Sequence, residues 1–177
     1  QRSLVGSEMC IRDSYLANVL GLDMGMFYKR RDYTRIVDGR NPIVAHEFLG
    51  SSVEGKDVII IDDMISSGDS ILDVAKQLKA RKANRIFAAA TFGLFTNGMK
   101  KFDEAYEQGI IHGILTTNLI YQTSELLSKP YYINCDLSKY IALIIDTLNH
   151  DGSISSILSP NERIQNVVKK YRNGEKI

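Results

Sequence analysis

Residues 57 to 70 read DVIIIDDMISSGDS. Four branched apolar residues run straight into two adjacent aspartates. A strand that is apolar at consecutive positions has no solvent face, so it belongs in the middle of a parallel sheet with helices on both sides. The small polar stretch Ser66, Ser67, Gly68, Asp69 and Ser70 then turns the chain into a helical period, SILDVAKQLKARKA, with Ile71, Leu72, Ala75 and Leu78 on one face. This strand, turn and helix set the rest of the fold: an α/β architecture of Rossmann-like type with a mostly parallel sheet flanked by helices.

The flanking segments agree with that frame. YLANVLG reads as a helix end closed by Gly21, MGMFYK as a short strand, and RRDYTRIVDGRNP as a long polar loop. IVAHEFLG alternates and predicts an antiparallel strand. RIFAAATFG, IIHGILTTN and YYINCD predict further strands. NGMKKFDEAYEQG predicts a helix with Phe102, Ala105 and Tyr106 inward. LSKYIALIIDTLNH predicts another, with Ile141, Leu143, Ile144, Ile145 and Leu148 available for burial.

The chain has 177 residues, room for one ordinary domain or one large half of a longer protein. Its net charge of +1 argues against a nucleic-acid coat or a membrane-surface role, which want a basic excess. The longest apolar runs are too short to span a bilayer. Cys10 and Cys135 carry no metal-ligand spacing and suit a reducing cytoplasm. His46, His112 and His150 are scattered, so no metal cluster is visible. Residues 1 to 14, QRSLVGSEMCIRDS, show no period, and SLVGSEMCIRDS resembles a translated sequencing-library adapter. The expectation is that residues 1–14 are non-native, that residues 15–177 are the native domain, and that the sheet lacks its first strand.

The chemistry follows from position. In open α/β sheets ligands sit beyond the carboxyl ends of the strands. Asp62 and Asp63 reach that edge, and the Ser66–Ser70 turn offers hydroxyls and the unpartnered N–H groups of a helix start. Gly68 lets backbone come close to a ligand. Carboxylates repel a phosphate, so the pair suits neighbouring sugar hydroxyls or a magnesium ion held with waters. Together they describe a sugar-phosphate site. The plain alternatives are an N-capping turn and a receiver-type acidic pocket. Capping accounts for one Ser or Asp, not for two carboxylates followed by five small polar residues. A second cluster, Lys29, Arg30 and Arg31 with Arg35 and Arg40, reads either as solvated surface or as a mobile basic arm that closes over a polyphosphate. Thr116, Thr117 and Asn118 end a strand near the expected ligand edge. Cys135, His46 and Tyr131, Tyr132 and Tyr140 read as packing or surface residues.

VIIIDDMISSGDS resembles the phosphoribosyl-diphosphate-binding motif of the type I phosphoribosyltransferase fold. With FYKRR, GRNPIVAHEFLGSSVEGKDVIIIDDM, TFGLFTNGMKKFDEAY, LTTNLIY and LSKYIALIIDTLNHDGSIS, the chain resembles the carboxyl-terminal half of the ribose-phosphate diphosphokinase family, from about Tyr15 to about Ile164. The resemblance implies ribose 5-phosphate and ATP as substrates, Mg2+ as cofactor, a cytoplasmic homo-oligomer, and catalytic roles for Lys29 and Arg31. Arg30 has no matched role. It assigns ribose 5-phosphate binding to Asp62, Asp63, Ser66, Ser67, Gly68, Asp69 and Ser70, and leaves the metal ligands unknown. The family's loop usually reads Asp-Thr-Gly-Gly-Thr. Here Asp69 adds a charge beside the phosphate, so its side chain has to point away. A phosphoribosyltransferase shares the loop but needs a base-binding hood, for which no segment is a candidate. A non-catalytic regulatory relative is the other alternative.

Overall fold

The computed structural model describes residues 2–6, 11–31, 43–158 and 160–175, with the side chains of 12, 28–31, 43–47 and 156 outside the described residues. The chain alternates strand and helix. β1 (Arg2–Gly6) leads through α1 (Ile11–Leu20) to β2 (Asp23–Arg31) and β3 (Ile43–Gly50). Next come β4 (Asp57–Ile65), α2 (Asp69–Ala80), β5 (Ile86–Gly93), α3 (Lys100–Glu107) and β6 (Gly113–Thr117). The chain continues with α4 (Ser124–Leu127), β7 (Tyr132–Cys135), α5 (Ser138–Asn149), α6 (Ser155–Leu158) and α7 (Asn161–Arg172).

The seven strands form one sheet in the order β3-β2-β1-β4-β5-β6-β7. All pairings are parallel except β2 with β3, which is antiparallel as the alternation of IVAHEFLG predicts. From β1 the chain moves one way through the sheet, and from β4 it moves the other way. The topological switch point therefore lies between β1 and β4, where the rule for open sheets places a ligand crevice.

The main core lies on one face. Val58 and Ile60 of β4, Ile86 and Ala88 of β5, and Ile114 of β6 meet Ile71, Leu72, Val74, Ala75 and Leu78 of α2 and Phe102 and Ala105 of α3. Each large side chain buried here contributes roughly 1.5–3 kcal/mol.

Five expectations need correction. The sheet does not lack a central strand: Arg2–Gly6 fills that place between β2 and β4, with Leu4 and Val5 fully buried. Three small or apolar residues in succession suffice once flanking strands supply both hydrogen-bond ladders, although so short a run has no period of its own. Arg30 and Arg31 do not begin a loop; their backbone continues β2 beyond Lys29 and pairs with Ala45 and Ile43 of β3. The apolar run of β4 is not covered evenly, because Ile59 and Ile61 on its second face are only half-buried. That face carries α1, whose Ala17 and Asp13 are buried, but α5 and α7 bury no residue of their own. Ile141, Leu143, Ile145 and Leu148 thus stay exposed rather than packed. Lastly, Tyr106 turns outward to lie against the Tyr131 ring, 5.0 Å between centroids.

Candidate functional site

β4 pairs with β1 only as far as Ile61, and with β5 as far as Ile65. Asp62 and Asp63 therefore lie past the end of the β1 ladder, at the switch point, while the strand itself runs on to Ile65. Asp62 is half-buried and Asp63 exposed. One oxygen of each accepts a hydrogen bond from the next backbone N–H, Asp63 to Asp62 at 2.9 Å and Met64 to Asp63 at 2.8 Å. These bonds fix both carboxylates at the strand edge.

The turn that follows is held from beneath. The Ile65 carbonyl accepts from the Leu94 amide at 2.8 Å, and the Ser66 carbonyl from Thr96 at 3.1 Å. Gly68 caps α2 at φ 82° with no side-chain cap. The Phe102 ring lies directly under it, so a Cβ at Gly68 would come within 2.1 Å of the ring. The glycine is thus required by core packing, a role that adds to the one expected of it toward a ligand. Phe95 stands on the other side of Phe102 with its ring edge-on at 5.2 Å, and its own φ of 46° is a strained backbone state.

A cavity of about 230 Å³ opens on this turn, lined by Asp62, Asp63, Ser66, Ser67, Gly68 and Ser70 together with Met64, Ile65 and Ile71. The size suits a ligand smaller than the drug-sized molecules held by pockets of about 300–1,000 Å³. The start of α2 supplies N–H groups and dipole at its mouth.

Asp69 is absent from that lining. It faces the groove between α2 and α3, which also holds Asp73, Lys76, Lys101 and Glu104. Lys101 Nζ bonds its Oδ1 at 2.5 Å, and the Ser67 hydroxyl donates to Oδ2 at 3.0 Å. The Lys101 ammonium, and after it the Ser67 hydroxyl, hold the Asp69 carboxyl below the ordinary carboxylate range.

None of the other expected residues whose side chains are described lines this cavity. Lys29, Arg30 and Arg31 sit at the carboxyl end of β2, and their side chains, like that of His46, lie outside the described residues. The polar loop at 32–42 lies outside them as well. Thr116 is buried, its hydroxyl 2.6 Å from that of Tyr132, and Thr117 donates to the Thr91 carbonyl at 2.6 Å. Asn118 bonds Asp136 and the Leu137 amide, so all three residues tie β6 to its neighbours. Tyr131 is buried, and Cys135 is half-buried with its thiol pushed up by burial. Among the described residues no group of three or more His, Cys, Asp or Glu is placed to hold a metal ion, and no helix is long and apolar enough to cross a membrane.

A larger cavity, about 750 Å³, opens at the opposite, amino end of the strands beside Arg2, Asp23, Lys56 and Tyr171. Two of its three lining cations are already engaged: Lys56 pairs with Asp23 at 2.6 Å, and Arg2 lies over the Tyr171 ring and bonds its hydroxyl at 2.7 Å. The smaller cavity has the backbone donors, the carboxylates and the switch-point position together. Sequence reasoning named six of the nine lining residues and placed Phe102 inward, but it missed Lys101 and the contact of Phe102 with the loop. Both residues lie more than thirty positions from the loop, and no local pattern connects them to it.

Comparison with known proteins points the same way. Ribose-phosphate pyrophosphokinase of Vibrio parahaemolyticus is 27% identical over 150 residues, 84% of this chain and 45% of the relative. The protein of that name from Mycoplasma genitalium is 29% identical over 161 residues, 90% of this chain and 45% of the relative. The chain thus spans about half the length of the curated relatives it matches. The crystal structure of phosphoribosylpyrophosphate synthetase from Mycobacterium smegmatis has the same fold, with a TM-score of 0.69 at 20% identity over 85% of this chain and 46% of that one. Residues 38–159, more than half of the sequence, match a single protein family. The chain belongs to the phosphoribosyl synthetase-associated domain family.

Proposed function

We propose that this chain is the ribose 5-phosphate-binding part of a ribose-phosphate diphosphokinase. Such an enzyme moves the β,γ-diphosphate of ATP onto the anomeric hydroxyl of ribose 5-phosphate, giving phosphoribosyl diphosphate and AMP. The observation that carries the reading is one cavity at the switch point whose lining joins Asp62 and Asp63 to Ser66, Ser67, Gly68 and Ser70. The names of the relatives support it.

In this reading the phosphate takes the N–H groups and hydroxyls of the turn, and the ribose hydroxyls take the carboxylates. A fixed phosphate and two fixed hydroxyls orient the sugar so that its anomeric oxygen meets a diphosphate in line. Lys29 and Arg31, on the strand two places from β4, supply positive charge to the moving group. Mg2+ fits the donor set: it binds through one or two carboxylates and otherwise through water and substrate phosphates. Asp62 and Asp63 would hold it, and it would neutralise charge on the diphosphate. The whole protein would work in the cytoplasm as a homo-oligomer.

Titration calorimetry of ribose 5-phosphate into the 177-residue chain tests the reading. Saturable binding that Asp62→Asn and Ser67→Ala each weaken by about tenfold is expected, one hydrogen bond to a charged group being worth roughly 1.5 kcal/mol. Binding that is absent, or indifferent to both substitutions, contradicts it.

A further inference from the structure

A carboxylate at the start of a phosphate-binding helix works against its ligand. Asp69 is such a group, and only the Ser67 hydroxyl separates it from the cavity: Ser67 lines the cavity and donates to the carboxylate at 3.0 Å. Yet the carboxylate is not alone. Lys101, at the start of α3, bonds its other oxygen at 2.5 Å. The remaining charges of this groove, Asp73 and Lys76 of α2 and Glu104 of α3, carry net one negative charge, so Lys101 is what balances Asp69 itself.

We propose that Lys101 is a positioning residue of the phosphate loop: by cancelling the charge of Asp69, it frees the Ser67 hydroxyl to turn from the carboxylate to a phosphate dianion. The inference rests on the functional reading above and names a residue that reading did not include. Without Lys101 the carboxylate keeps the hydroxyl and repels the phosphate. Without Asp69, Lys101 becomes an uncompensated cation beside the loop. A single charge close to a phosphate, mostly screened by water, shifts binding by about three- to tenfold.

The test is a double-mutant cycle read by calorimetry, with ribose 5-phosphate and with neutral ribose as probes. Lys101→Met is expected to weaken ribose 5-phosphate binding by about three- to tenfold, and Lys101→Arg to restore it. Asp69→Asn is expected to tighten it, and the double variant to return to within about twofold of the unmodified chain. Ribose binding should not change, which separates a charge effect on the phosphate from a general loss of structure. Lys101→Gln repeats the measurement should Lys101→Met prove unstable. Unchanged phosphate-ester binding in both neutral variants, or equal loss for ribose and ribose 5-phosphate, overturns the proposal alone. No binding of ribose 5-phosphate by the unmodified chain overturns the functional reading and the proposal with it.

Discussion

Gly68→Ala probes the support of the loop directly. Gly68 sits at φ 82°, and a Cβ there would lie 2.1 Å from Phe102 Cζ and 2.7 Å from Cε2. Phe102 is fully buried, edge-on to Phe95 and beneath α2, so its ring has nowhere vacant to go. The left-handed backbone costs an alanine about 1–2 kcal/mol. Forcing the ring aside adds about 1–3 kcal/mol of overpacking. The sum is a destabilisation of roughly 2–5 kcal/mol. Gly98→Ala is the matched control: its φ is 70°, but nothing lies within 4 Å of the added carbon, so only the backbone penalty applies. Urea unfolding of both variants, with midpoints compared at constant slope, gives the difference. Phe102→Leu in the Gly68→Ala background should recover part of the loss, because the shorter side chain leaves room for the methyl. Equal losses for Gly68→Ala and Gly98→Ala would refute the reasoning that core packing dictates this glycine.

Other consequences are as direct. Leu4→Ala should cost about 2–5 kcal/mol in the same assay, because Leu4 is fully buried in the middle of the sheet; a loss under about 1 kcal/mol would show that RSLVG is not built into it. Hydrogen bonds from Arg85 hold the Asp57 carboxyl at about 2, below its ordinary value. A depressed carboxylate stabilises the fold above its unfolded value, and that contribution fades as pH falls from about 4 to about 2. Because Arg85 is half-exposed, about 1 kcal/mol of it survives solvent screening. Asp57→Asn should therefore flatten the acid limb of stability between pH 6 and pH 2.5, and an unchanged limb would contradict the pairing. The chain spans less than half of its relatives. Incubated with ATP and ribose 5-phosphate it should release no AMP beyond background, whereas ordinary turnover would show that it carries the complete site.

The layered fold and most of the lining of the cavity were legible because both are local. An unbroken apolar run fixes β4 as a sheet interior, and Ser66–Ser70 can hardly be anything but a helix entry. What escaped was non-local. RSLVG becomes β1 only because β2 and β4 offer ladders on both sides, and no period inside five residues announces that. The apolar face of α5 promised burial, but a hydrophobic stripe tells only that a partner is wanted, not that this chain supplies it. Asp69 looked like a charge in the wrong place until Lys101, on another helix, was seen against it.

The most direct measurement of the central claim is a map of backbone amide shifts during titration of the isotope-labelled chain with ribose 5-phosphate. The account predicts saturable shifts that centre on Gly68, Asp69 and Ser70 and reach Asp62 to Met64, with Lys56 and Tyr171 unmoved. Shifts that gather instead around Arg2, Lys56 and Tyr171, or none at all, would contradict it.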